Sequence, residues 1–322
     1  MNPVFSFVEF QKCYEHRLAR IILNRPEHYN AITFGMGREI KQAVVLANAD
    51  EGISVIVIEG KGKYFCSGYD LKTGVTNEVA RQSDNSIENP CSQKLPWDPS
   101  KDYAAMGNNE ITEGFTSCFM SLFKSRKPTI ACVHGGCIGG GTDIALCCDL
   151  IFMTKDAKIG YPPVRLWGVP TTAMWTLHLG PQKAKYLLFT GDLIDGSTAE
   201  QMGLIAKALP NETELKDFVF KVAKRISSVP SNQLFFNKLV INNICNAMYG
   251  GIDNVQSLAS ILDGASRHTP EGIMFAKFAQ QQGFKNAIKF RDSGQDLNLD
   301  KNSSFKLELN SDDIKPQLRS KM

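Results

Sequence analysis

Two glycine-bearing turns hold the residue types that could do chemistry in this chain. The first is Tyr64-Phe65-Cys66-Ser67-Gly68-Tyr69-Asp70-Leu71, which follows a β-branched run ending near residue 58. The second is His134-Gly135-Gly136-Cys137-Ile138-Gly139-Gly140-Gly141-Thr142-Asp143, which follows another apolar run and opens a helix. A glycine just past a parallel strand lets the chain turn sharply and takes the next amide, that of Tyr69, out of the ladder. Amides at a helix N-terminus, reinforced by the macrodipole, favour a negative oxygen. Where two such turns leave neighbouring parallel strands, they converge at the carboxyl edge of the sheet. One amide from each then makes a two-donor oxyanion hole for a carbonyl oxygen that gains charge during reaction.

Other chemistries are excluded by pattern. There is no G-x-x-x-x-G-K-[ST] phosphate loop, no G-x-G-x-x-G followed by a ribose-binding acid, and no G-x-S-x-G nucleophile elbow beside the His134-Gly135-Gly136 step. For either turn alone, glycines that ease helix–strand packing are the competing explanation. The nine cysteines show no C-x-x-C spacing and no His/Cys cluster suited to zinc, so no metal is expected and they read as reduced core thiols. His134, His178 and His268 have no nucleophile to serve and read as structural. A formal charge of +3, with basic residues scattered along the chain, gives no nucleic-acid footprint. No apolar run is long enough to cross a bilayer and no presequence is evident, so a soluble intracellular protein is expected.

The elements that must position these turns follow from periodicity. Residues 5–11 and 18–24 read as strands, and a helix begins near Thr33 with Met36, Ile40 and Val44 on one face. Ser54-Val55-Ile56-Val57-Ile58 reads as a strand buried on both faces of a parallel sheet. A helix over 114–125, a strand over 128–134, a helix from about 140 and a strand over 149–153 continue the rhythm. Further helices are expected at 182–190, 197–203, 212–228, 231–248, 252–265 and 270–291. Residues 72–112 read as a long lid or binding loop and the last thirty residues as a flexible tail. The expected organisation is a core over 1–195, a helical region over 196–292 and a tail over 293–322.

In this order the motifs resemble the crotonase superfamily (enoyl-CoA hydratase/isomerase family). Asn24-Arg25-Pro26 with Asn30-Ala31 is similar to its N-R-P-x-x-x-N-A opening, and Phe65 to Leu71 is similar to F-x-A-G-x-D-L. Lys127-Pro128 through Asp149 resembles K-P-x-I-A-x-V-x-G-x-x-x-G-G-G-x-E/D-x-x-x-x-x-D. Ile159-Gly160-Tyr161-Pro162-Pro163 and Gly191-Asp192-Leu193-Ile194 fit later landmarks, so the resemblance spans about residues 15–292. It implies an α/β fold of repeated ββα units (ClpP-like) with a helical C-terminal part that builds a homotrimer or dimer of trimers.

The resemblance also implies an acyl-CoA thioester as the substrate, with coenzyme A part of it and no separate cofactor. The thioester carbonyl would sit between the amides of Tyr69 and Gly140, with Asp143 at the position of the first of two family glutamates. The second glutamate position is Pro163, which can do no acid/base chemistry. Arg25, His28, Tyr29, Ser67, Gly68, Asp70, Gly139, Gly141, Tyr161, Pro163 and Trp167 are the expected lining, with Arg25 to Tyr29 and Ser67 on the adenine and pantetheine side. Lys289 and Arg291 could meet CoA phosphates, but solvated helix-end charge is the favoured reading of that pair. Asp70 and Asp149 read as structural caps, and Asp143 could also be a simple helix-dipole partner.

Hydration or isomerisation of an enoyl-CoA is the expected activity. A thioester hydrolase of the same fold and, because of Pro163, a non-catalytic acyl-CoA-binding protein are the alternatives. The terminal Ser320-Lys321-Met322 is close to the Ser-Lys-Leu peroxisomal address, so a peroxisomal location with an import receptor as partner is expected in a eukaryotic source and a cytoplasmic location otherwise.

Overall fold

The computed structural model describes residues 5–70, 114–165, 168–266 and 269–293. The expected loop over 72–112, Trp167, His268 and residues 294–322 lie outside the described residues. The chain divides into two compact units, Met1–Gly272 and Ile273–Met322.

The first unit is built on a six-stranded sheet of order β1-β2-β3-β4-β6-β9. Its strands are β1 (Val8–Cys13), β2 (Leu18–Leu23), β3 (Val55–Gly60), β4 (Thr129–Val133), β6 (Leu150–Thr154) and β9 (Lys207–Leu209). β1 and β2 form the antiparallel edge, joined by a tight turn in which Arg17 takes φ 50°, and every later pairing in this sheet is parallel. β3 is buried along its whole length, as its unbroken β-branched run predicts. Successive side chains point to opposite faces. Ile56 and Ile58 therefore join the large core on one face, while Val55 and Val57 join a smaller one with Leu18, Ile130 and Phe152 on the other.

Helices cover both faces. On the larger core lie α1 (Phe34–Ala49), α2 (Phe115–Phe123) and α3 (Gly140–Leu146). The Thr33 hydroxyl caps α1 by accepting from the Met36 amide, where the sequence placed the start. The smaller core is closed by α6 (Glu212–Ser227), through Leu215, Val219 and Ala223. The remaining helices of this unit are α4 (Met174–Thr190), α5 (Gly196–Met202), α7 (Ser231–Met248) and α8 (Ile252–Ser266).

A second, three-stranded sheet of order β5-β7-β8 is not anticipated by periodicity. Its strands β5 (Gly136–Ile138), β7 (Lys158–Gly160) and β8 (Leu193–Asp195) have three residues each, too short for an alternating pattern. β9, equally short, is missed for the same reason. Within α4 the helix is broken at Gly180, whose φ of 70° is non-helical, so the helix expected over 182–190 follows the break and the helical stretch from Met174 to the break is the addition. The helix expected over 270–291 is two helices, α9 (Pro270–Gln282) and α10 (Phe284–Asp292), parted at Gly283 with φ 81°. In the second unit the rings of Phe278 and Phe290 lie 5.0 Å apart.

Candidate active site

The two glycine turns meet because β3 and β4 are parallel neighbours, paired from Ile56–Thr129 to Glu59–Cys132. Past the strand ends the pairing continues. The Phe65 amide donates to the His134 carbonyl at 2.9 Å, the Cys66 amide to Gly136 at 2.9 Å, and the Ile138 amide to Cys66 at 3.0 Å. This isolated bridge, Cys66–Cys137, carries the next residues forward side by side. Gly68 takes φ 103°, and a Cβ there would stand 3.0 Å from the Ile138 carbonyl oxygen and 3.7 Å from the Gly140 nitrogen. Gly139 takes φ 53°, and its Cβ would stand 3.8 Å from the Gly68 Cα. Both positions thus need glycine for backbone conformation and for close approach.

The local hydrogen bonds hold the two turns in this apposition. The Ile32 amide donates to Gly68 at 2.8 Å and the Asp70 amide to Ile32 at 2.9 Å, which stitches Tyr69 beside Ile32. The Gly139 amide donates to Gly160 of β7 at 3.0 Å, so the second sheet anchors the second turn. Gly140 is the first residue of α3, where amides lack an intrahelical acceptor. Gly141 packs on Cys66, whose carbonyl oxygen would lie 2.8 Å from an added Cβ. Such an arrangement can present two amides to one oxyanion.

Asp143 lies in the first turn of α3 and is fully buried. Its Oδ1 accepts from the Thr172 hydroxyl at 2.7 Å and its Oδ2 from the Tyr69 hydroxyl at 3.2 Å. Burial pushes its carboxyl up to about 7, against the opposing pull of these two hydroxyls. A carboxyl so poised can take and return a proton near neutrality. Thr172 is not among the residues singled out in the sequence. Its contact with Asp143 has no sequence signal of its own.

The segment holding Thr172 is pinned from several directions. Gln256 of α8 donates to the Thr172 carbonyl at 3.1 Å, and Thr116 donates to the Thr171 hydroxyl at 2.8 Å. The Val169 amide donates to Asp263 at 2.9 Å, and the Tyr161 hydroxyl donates to the Val169 carbonyl at 3.3 Å. Tyr161 is thereby buried, holding the segment from below. Pro170, Ala173, Met174, Leu188, Ile252 and Ala259 line an apolar cavity of about 280 Å³. Pro170 and Ala173, which flank Thr171 and Thr172 in the chain, line it, while Asp143, Tyr69 and Gly140 do not.

The other expected site residues fall in three groups. Pro163, in the short 3-10 turn Pro162–Arg165, packs its ring on Gly139, 3.3 Å from where a Cβ would be, so the missing second acid position does border the turn. His28, Tyr29 and Ser67 form an exposed ledge, with the Ser67 amide donating to the Tyr29 carbonyl at 3.0 Å and the Tyr29 ring edge-on to Tyr64. Arg25 turns inward, its guanidinium paired with Asp70 at 3.0 Å. Asp149 accepts from the Thr129 amide, the Thr129 hydroxyl and Lys238, which is a structural duty. His134 meets the Gly62 carbonyl at 2.7 Å and His178 the Leu146 carbonyl at 2.8 Å. Lys289 and Arg291 are in the second unit, and Trp167 is outside the described residues. Among the described residues no group of three or more His, Cys, Asp or Glu side chains could hold a metal ion, and no helix is long and apolar enough to cross a membrane.

Comparison with known proteins gives consistent matches. The profile of the family described as enoyl-CoA hydratase/isomerase matches residues 14–94 and 100–248. Crotonyl-CoA hydratase of Syntrophomonas wolfei is 30% identical over 281 residues, covering 86% of this chain and 94% of the relative. The peroxisomal Delta(3,5)-Delta(2,4)-dienoyl-CoA isomerase of Arabidopsis thaliana is 30% identical over 209 residues, covering 64% and 70%. Among solved structures, an enoyl-CoA hydratase from Mycobacterium smegmatis superposes with a TM-score of 0.76 at 36% identity, covering 90% of this chain and 94% of that one. The mixed α/β architecture, with its sheets and helical later half, is that of these proteins.

Proposed function

The chain belongs to the enoyl-CoA hydratase/isomerase family, and from that premise we propose that it hydrates or isomerises an enoyl-CoA thioester. The thioester carbonyl oxygen lies between the amides of Tyr69 and Gly140, and Asp143 moves the proton. The observation that carries this reading is the apposition of the Gly68–Tyr69 and Gly139–Gly140 turns, so close that a Cβ added to Gly68 would stand 3.7 Å from the Gly140 nitrogen, with a buried carboxyl at about 7 beside them. Two preorganised donors matter because an enolate puts its charge on that oxygen; losing one such donor costs about 3 kcal/mol. The exposed ledge of His28, Tyr29 and Ser67 receives the coenzyme A portion, and the apolar cavity beside Pro170 and Met174 suits the apolar end of the acyl group.

A homotrimer or dimer of trimers belongs to the same reading. It is supported by the exposed apolar side chains of Phe236, Val240, Ile244 and Met248 on α7 and of Leu258 and Leu262 on α8. Light scattering on the purified protein checks it.

The activity is tested by incubating the protein with a panel of enoyl-CoA thioesters differing in chain length and double-bond position, followed by mass spectrometry. A gain of one water, or a shifted double bond, that disappears in Asp143→Asn while the ester still binds supports the reading. Thioesters recovered unchanged across the panel, with equal binding by both proteins, would overturn it. Release of free coenzyme A thiol would replace it with thioester hydrolysis.

A further inference from the structure

Pro163 removes the second carboxylate from the site, yet a different proton-bearing group stands against the first. The Tyr69 hydroxyl lies 3.2 Å from Asp143 Oδ2, while Thr172 occupies Oδ1. The Tyr69 ring crosses the Gly140 backbone, so a Cβ on Gly140 would be only 2.8 Å from Cε2 and Cζ. Phe115 and Phe119 hold the ring from α2, with centroids 5.0 and 6.4 Å away. One residue therefore offers its main chain to the oxyanion position and carries its hydroxyl to the acid/base position.

We propose that the Tyr69 hydroxyl is the second proton-transfer group of this site, serving the hydration of a 2-enoyl thioester in place of a side chain at 163. The proposal rests on the functional reading above. Asp143, as the carboxylate, takes a proton from water while the water oxygen bonds to C3. The C2–C3 π pair moves to C1–C2, and the carbonyl π pair moves onto the oxygen facing the two amides. As the enolate collapses, the Tyr69 hydroxyl gives its proton to C2. The phenolate then takes the proton from the Asp143 carboxylic acid across the existing hydrogen bond, a favourable direction because a carboxylic acid is the stronger acid. One water is added, both side chains are restored, and nothing is oxidised or reduced.

The other titratable groups that bear on the pair are Cys66, Cys137 and Cys147 from the turns and α3, and Asp263 from α8. Burial pushes the three thiols up and keeps them neutral, which leaves Asp263 as the other carboxylate.

Tyr69→Phe tests this directly, since it keeps the amide and the ring and removes only the hydroxyl. With a 2-enoyl-CoA that the wild type hydrates, kcat is expected to fall by about 10²–10⁴-fold with KM little changed, and the alkaline limb of the pH profile to vanish. Placing 3,5-difluorotyrosine at 69 retains fold and hydroxyl but acidifies the phenol, and is expected to move that limb to lower pH. A hydroxyl that only propped Asp143 would move the acid limb instead. Tyr69→Phe turning over at the wild-type rate, or an alkaline limb unmoved by fluorination, overturns the proposal while leaving the hydratase reading intact. A wild type that adds water to no ester in the panel brings down both.

Discussion

Thr172 and Asp143 are 29 positions apart in the chain, yet the Thr172 hydroxyl donates to Asp143 Oδ1 across 2.7 Å and both side chains are fully buried. The bond favours the ionised carboxylate and so opposes the burial that raises it. Removing it leaves burial less opposed. In Thr172→Val the Asp143 carboxyl rises further above 7, so the acid limb of kcat/KM moves to higher pH. A hydrogen bond to a charged group is worth about 1.5–3 kcal/mol, hence a displacement of roughly 1–2 pH units. Thr172→Ser should restore the wild-type limb. An acid limb identical in Thr172→Val would mean that this hydroxyl does not tune the carboxyl.

The same carboxyl makes stability depend on pH. Its ordinary value is 3.8 and burial raises it to about 7 in the native protein. Between those values the folded chain holds a proton that the unfolded chain releases. Its contribution is therefore fully favourable below pH 3.8 and is lost as pH rises through about 7. As an order of magnitude the loss is about 4 kcal/mol. Asp143→Asn carries no such charge, so its stability relative to wild type should climb between pH 4.5 and 7.5 and then level off, measured by urea unfolding at steps across that range. Parallel pH curves for the two proteins would contradict a raised carboxyl.

Gly68→Ala probes the apposition of the turns. Its φ of 103° strains an L-residue, and the new Cβ would press on the Ile138 carbonyl oxygen at 3.0 Å. Backbone strain of this kind costs about 1–3 kcal/mol. The expected result is a folded protein by circular dichroism with a lowered melting temperature and a kcat reduced more than ester affinity. Full activity would show that the spacing between the turns is not critical.

Lys238 on α7 ties the helical region to the sheet-bearing core. Its amine is buried and donates to Asp149 at 2.8 Å and to the carbonyls of Leu122 and Lys127 at 3.2 Å. Burial draws its own titration down, opposed by Asp149. Lys238→Met removes the cation from Asp149, which keeps its two bonds from Thr129, and takes one donor from each of the two carbonyls. Because Asp149 retains some solvent contact, the cost should fall below the roughly 3–5 kcal/mol of a fully buried pair broken on one side. Adding Asp149→Asn to Lys238→Met should recover part of that loss in denaturant unfolding.

The cysteines should divide sharply by reactivity. Burial pushes Cys66 and Cys132 up to about 12, and raises Cys137, Cys147 and Cys148 as well, while Cys13 and Cys245 are only half-buried. In a native thiol titration with an aromatic disulfide, peptide mapping should find Cys13 and Cys245 labelled ahead of the other cysteines among the described residues. Early labelling of Cys66 would place the first turn at the surface.

Several features of this protein are written locally in its residues. The β-branched run at 55–58, the Thr33 cap and the 3.6-residue spacing in α1 dictate their own structures, because strand and helix periodicity act over a few residues. The glycines at 68 and 139–141 announce close backbone approach in the same local way, and their order along the chain was enough to reveal the family. The three-residue strands were not legible, since their stability comes from partners far away in sequence. Nor was the environment of Asp143. A first-turn aspartate looks like a helix-dipole partner until tertiary packing removes its water and brings Thr172 and the Tyr69 hydroxyl to its two oxygens. Residue type supplied a carboxyl and two hydroxyls; only the folded arrangement made them neighbours, because desolvation and hydrogen-bond geometry belong to surroundings that no stretch of sequence contains by itself.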